Sequence, residues 1–120
     1  MKVFFPVKHN NAQESELFDH FAVAPGFISY DTDTKEIGFL ENTDAKADGG
    51  GSRNVSDILS KQGAEAVVCT GIGGGAINRL NSLGIKVYGA QTGMVMYEIK
   101  LLESGKLPEM NSGNCDGSYR

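Results

Sequence analysis

The chain has 120 residues, 11 basic against 15 acidic side chains and a net charge of −4, which leaves room for one domain and offers no basic run to track a phosphate backbone, so no nucleic-acid partner is expected. Its longest apolar runs are strand-sized, far short of the ~20 residues of a membrane helix, and the opening MKVFFPVKHN lacks the layout of a secretion signal; no membrane contact and a cytoplasmic location are expected. Two cysteines, Cys69 and Cys115, make no disulfide framework and suit a reducing compartment.

In chain order, KVFFPV is the first strand, with Pro6, which has no N–H to donate, at its end or at a bulge. A long connection follows, KHNNAQESELFDHFAVAPG, pinned to the body by Leu17, Phe18 and Phe21; loops of this length inside compact domains are commonly functional. FISYDTDTKEIGFLEN is a hairpin, with strands at Phe27–Asp31 and Glu36–Glu41 around a DTDTK turn. The polar, glycine-rich TDAKADGGGSRN is a loop, and VSDILSKQG a helix with Val55, Ile58, Leu59 and Gln62 on one stripe and Gly63 as its stop. AEAVVCT is a buried strand, GGAINRLNSLG a helix ended by Gly84, IKVYGA a strand, and MVMYEIKLLESG a last helix with Val95, Ile99 and Leu102 on one face.

The order β-β-β-α-β-α-β-α predicts an α/β domain: a five-stranded mixed sheet flanked by about three helices. Residues 1–105 form this domain, and 106–120, with little apolar content, a loosely ordered tail. If the first strand runs parallel beside AVVCT, their carboxyl ends share one edge, where ligands of open α/β sheets bind. The loop carrying His9 and His20, the glycine loop and GAQTG then surround one crevice.

The glycine loop GIGGGA satisfies the loose pattern G-x-G-x-x-A, with a strand before it and a helix after. The acidic residue that would hold a ribose is missing, since Gln91 follows IKVYGA, and Ile77 stands where a phosphate-binding loop would carry lysine. A nucleotide is therefore disfavoured. The spacing instead predicts an anion site: Gly71, Gly73, Gly74, Gly75 and Ala76 bring bare backbone amides to a helix start. The competing reading is that the glycines serve only a tight turn and close packing.

For metals, His20 is the foremost ligand candidate, in its neutral imidazole form. His9, in a polar turn, is weaker. Cys69 shares a face with Val67 and reads as a structural thiol, although it stands directly before the loop amides that would favour a thiolate. Cys115, among glycines and asparagines, reads as the more exposed thiol. No CxxC or HExxH spacing supports a closed zinc site, and no serine has a base and oxyanion donors arranged beside it, so no enzyme is expected. Asp31 and Asp33 belong to the hairpin turn.

Together MKVFFPV, DHFAVAPGFISYDTDT, EIGFLEN and GAEAVVCTGIGGGAINRLNSLGIKVYGA resemble the dinitrogenase iron–molybdenum cofactor biosynthesis proteins of the NifX and NafY type over about residues 1–105. The resemblance implies a ribonuclease H-like fold. It also implies an accessory protein that binds or carries an iron–sulfur or iron–molybdenum cluster, with cluster-donating or cluster-accepting proteins as partners. The family's candidate ligand, the histidine of its HFG.AP segment, falls on His20; Cys69 and Cys115 stand behind it as reserve metal ligands. Val23 replaces the family's arginine, the loop often written GGIGPGA is TGIGGGA, and DGGGSRN with Arg53 replaces a histidine-rich stretch of several relatives. The alternative from another class is a module that binds a small anionic or phosphorylated metabolite through the glycine loop.

Overall fold

The computed structural model describes residues 1–42 and 52–110. Five strands, β1 (Lys2–Val7), β2 (Gly26–Asp31), β3 (Ile37–Glu41), β4 (Ala66–Cys69) and β5 (Lys86–Gly89), form one sheet in the order β3-β2-β1-β4-β5. Three α-helices accompany them among the described residues: α1 (Ser52–Lys61), α2 (Gly74–Ser82) and α3 (Val95–Glu103). Strand β2 runs against both β1 and β3, whereas β1, β4 and β5 are parallel. The expected mixed sheet and helix number are what the chain forms.

Alternation along each strand divides the apolar side chains between two faces. Phe4, Phe27, Val67, Cys69 and Val87 pack on one side with Val55 and Leu59 of α1 and Ile77 and Leu80 of α2. Val3, Phe5, Val7, Ile28, Ala66 and Val68 pack on the other with Val95 and Ile99 of α3. The result is a helix–sheet–helix sandwich, in which each fully buried side chain of this size contributes about 1.5–3 kcal/mol. Pro6 lies within β1 opposite Phe27, beyond the last pairing of β1 with β4 at Phe4 and Val67, so its missing donor costs no ladder bond on that side. The expected helix stop at Gly84 has the conformation it needs, with φ +79° just after the Leu83 cap of α2.

Two boundaries differ from the sequence expectation. The apolar stripe of α1 begins at Val55, but the helix begins at Ser52; residues 43–51 of the expected glycine-rich loop lie outside the described residues. The expected tail starts at Lys106, yet Leu107 is buried and residues 108–110 run along β5. The Gly89 N–H donates to the Pro108 carbonyl at 2.8 Å and the Met110 N–H to the Val87 carbonyl at 2.7 Å. Low apolar content hid this because two anchors, Leu107 and Met110, suffice when an unpaired strand edge supplies the hydrogen bonds. Residues 111–120, Cys115 among them, lie outside the described residues.

Candidate functional site

The parallel run of β1, β4 and β5 brings three connections to one edge of the sheet: the first loop after Val7, the glycine loop after Cys69, and residues 90–94 after Gly89. Backbone bonds stitch them together. The Phe21 N–H donates to the Gly71 carbonyl at 3.1 Å, the Leu17 N–H to the Gly93 carbonyl at 2.8 Å, the Val95 N–H to the Ser15 carbonyl at 2.9 Å and the Ala90 N–H to the Cys69 carbonyl at 3.0 Å.

The first loop is ordered by its own chemistry. Phe21 is buried and meets Phe27 edge-on at 5.7 Å, anchoring a short 3-10 turn over Phe21–Val23. Ser15 is fully buried and its Oγ accepts the Asn11 N–H at 2.8 Å, while the Phe18 N–H donates to the Pro6 carbonyl at 2.7 Å. His20 caps the Phe21 turn; its ring is exposed, 6.3 Å from that of Phe18 and nearly perpendicular to it. The backbone bond one residue later sets His20 next to the glycine loop. His9, by contrast, lines a separate surface cleft of about 350 Å³ with Lys8, Glu16, Phe18 and Asp19, and no glycine-loop residue contributes to it.

In the glycine loop, buried Ile72 is the anchor and Gly73 caps α2 without a side-chain bond. The Ile77 N–H is the first to find a carbonyl within the helix, that of Gly73 at 3.1 Å. The first-turn amides of Gly74, Gly75 and Ala76 precede it, where a helix supplies no acceptor of its own, and no acidic residue stands in that turn. At Gly73 and Gly75 close packing is not what the glycines serve. None of Gly71, Gly73, Gly74 and Gly75 has a positive φ, and a Cβ added at Gly73 or Gly75 would meet no atom within 4 Å. Among the described residues, neither backbone conformation nor crowding requires glycine at those two positions.

The third loop is the opposite. Glu98, fully buried on α3, accepts the N–H groups of Gln91, Thr92 and Gly93 at 3.0, 2.6 and 2.7 Å and the Thr92 hydroxyl at 2.9 Å. Gly93, at φ +87°, makes the bend that turns those donors inward. Glu98 and Ser15 are the site-forming residues that the sequence reading missed. Gln91, not an acid, follows β5; the acid is on the helix. Its signal is a charged residue inside the stripe Val95, Ile99, Leu102, at a position that helical spacing sends into the core.

Cys69 is fully buried in the core layer with Phe21, Val67 and Ile72. Among the described residues, no group of three or more His, Cys, Asp or Glu side chains converges as a metal site would need. A bare metal ion therefore has no protein ligand set there. An anionic cluster that brings its own bridging atoms needs hydrogen-bond donors and a terminal ligand; the first turn of α2 carries donors of that kind, and His20 precedes the residue bonded to Gly71.

Comparison with known proteins adds the following. A family model described as dinitrogenase iron–molybdenum cofactor matches residues 1–105. A solved candidate NifB protein from Thermotoga is 32% identical, with 97% of this chain and 98% of that one covered and a TM-score of 0.81. The apo form of the orange protein from Desulfovibrio gigas shares the fold at a TM-score of 0.87, over 94% and 95% of the two chains, at 21% identity. An uncharacterised protein of Methanocaldococcus jannaschii is 29% identical over 110 residues, 89% of either chain.

Proposed function

From the premise that the chain belongs to the dinitrogenase iron–molybdenum cofactor family, we propose that it is a non-catalytic accessory protein that holds an iron–sulfur or iron–molybdenum cluster in transit between cluster-handling proteins. The observation that carries this reading is the first turn of α2, whose Gly74, Gly75 and Ala76 amides precede the first intrahelical bond at Ile77 and where a Cβ at Gly73 or Gly75 would meet no described atom within 4 Å. Amides at the start of α2, aided by the helix dipole, stabilise an anionic cargo; Gly71, Gly73, Gly74, Gly75 and Ala76 are the contact residues. His20 supplies the terminal bond to metal through a ring nitrogen. Cys69 could join only if the layer around Phe21 and Ile72 opened, and Cys115 is a further ligand in the same reserve.

Residues 1–105 are the unit proposed to carry this function, in the cytoplasm. The sheet order, with β2 as the one antiparallel strand, supports reading the fold as ribonuclease H-like. No helix among the described residues is long and apolar enough to cross a membrane. The same open amides would also suit a phosphate-bearing metabolite, and one experiment separates the two. The purified protein is incubated anaerobically with iron and sulfide, or with isolated cofactor, then desalted, and bound iron per chain is measured for wild type and His20→Ala. Iron retained by wild type and lost by the variant supports cluster carriage through His20. Iron retained equally by both removes His20 from the site. No iron in either overturns the cluster reading in favour of a phosphorylated ligand.

A further inference from the structure

Glu98 performs a task that the cluster reading does not use. A carboxylate has no proton to give and only accepts, and here it satisfies three consecutive backbone N–H groups and a hydroxyl while fully buried. The loop it holds in place is itself a platform. The Gly93 carbonyl, directly beyond the N–H that Glu98 accepts, takes the Leu17 N–H at 2.8 Å, and the Val95 N–H at the start of α3 donates to the Ser15 carbonyl at 2.9 Å. Between them Glu16 bridges to Met94. Residues 15–17 of the first loop are thus clamped on the loop that Glu98 organises. Four residues on, the Phe21 N–H reaches the Gly71 carbonyl of the glycine loop.

We propose that Glu98 is the positioning residue of the site: through residues 91–95 it fixes the first loop and so sets where His20 stands relative to the glycine loop. The proposal rests on the cluster reading for the identity of the cargo, but the mechanical link does not. Replacing Glu98 with glutamine presents an amide NH2 where an acceptor is required, so part of the loop must turn away. Neither Leu17 nor Phe21 touches Glu98 through the bonds described, so a response at their amides reports transmission along the loops.

The test combines hydrogen exchange with cargo retention, on wild type, Glu98→Gln and Thr92→Val. The Thr92→Val variant removes one donor to the carboxylate and keeps the carboxylate itself. In Glu98→Gln, the amides of Leu17 and Phe21 should exchange about tenfold faster or more, with those of Val67 and Val68 in β4 unchanged. Thr92→Val should give the same pattern at smaller size. Where wild type retains iron after anaerobic loading, Glu98→Gln should retain less than half as much although His20 and every glycine are intact. Unchanged exchange at Leu17 and Phe21, or faster exchange spread equally over β4, overturns the positioning role, as does undiminished iron in the variant. If wild type retains no iron, the cluster reading fails by itself and the exchange pattern alone decides the role of Glu98.

Discussion

The β4–α2 and β5–α3 connections leave the same edge of the sheet, and each delivers backbone amides to the start of a helix nine residues long. The side chain four residues after the helix cap separates them. Four residues after its cap, α3 carries Glu98 and α2 carries Ile77, both fully buried. In α3 the carboxylate turns back to its own loop and takes up its donors. In α2 the isoleucine turns into the core and offers its first-turn amides no such acceptor. The filled loop shows what an anion does to bare backbone amides, here those of residues 91–93 just before the helix cap; in the glycine loop the amides of residues 74–76 lie just after the cap, and no acidic side chain stands in that turn. Its lack of conformational or packing need for glycine at Gly73 and Gly75 then acquires a meaning that sequence pattern could not supply.

The contrast can be broken most severely from the filled side. Glu98→Ala leaves the N–H groups of residues 91–93 and the Thr92 hydroxyl without their acceptor, and should lower the unfolding free energy by about 3 kcal/mol or more, read as a fall in the urea midpoint at unchanged slope. Next in size, Gly93→Ala forces a side chain onto φ +87° and should cost about 1–2 kcal/mol in the same assay. Gly75→Ala is the sharpening counterpart, with the opposite sign. It lies in α2 with ordinary φ and open space around it, so alanine should raise stability by about 0.5–1 kcal/mol. Its methyl, tilted toward the helix start as helical Cβ atoms are, should at the same time weaken cargo retention.

The smallest effect belongs to an exposed pair away from both loops, where Lys35 lies 2.6 Å from Glu103, which also accepts the Tyr30 hydroxyl. Hydrogen bonding from Lys35, then from Tyr30, lowers the Glu103 carboxyl below its ordinary 4.5. That contribution is fully present above the ordinary value and is lost as pH falls through the lowered one. The Lys35 ammonium is correspondingly raised, chiefly by its bond to Glu103, so its share is lost only in strong alkali. A slight midpoint difference between wild type and Lys35→Met should therefore be measurable at neutral pH and vanish in acid.

Much of this architecture was legible because it rests on short-range pattern. Strand-length apolar runs in KVFFPV and AVVCT mark strands, apolar spacing in α2 and α3 marks helices, and Gly84 marks a stop; the parallel pairing of β1 with β4 is a condition of the sequence reading, and the sheet meets it. The glycine loop was legible as a place but not as a state. A pattern of glycines is the same whether they relieve crowding, permit a positive φ or leave amides bare, and only the three-dimensional surroundings of Gly73 and Gly75 distinguish these. Glu98 was hidden for the converse reason: on an amphipathic helix an acidic residue is read as solvent-facing, and only its loop, folded back over it, makes a buried carboxylate tolerable. The docking of Leu107–Met110 depended on a free edge of β5, which no local pattern announces.

The most direct measurement is bound iron per chain after anaerobic loading and desalting, compared between wild type and Gly75→Ala, with the thermal midpoint of both apo proteins recorded alongside. Lower iron retention in a variant that is as stable as wild type or more so is the predicted result, since the methyl fills only the space above the amides. Equal retention in the two proteins would contradict the claim that the glycine loop holds the cargo.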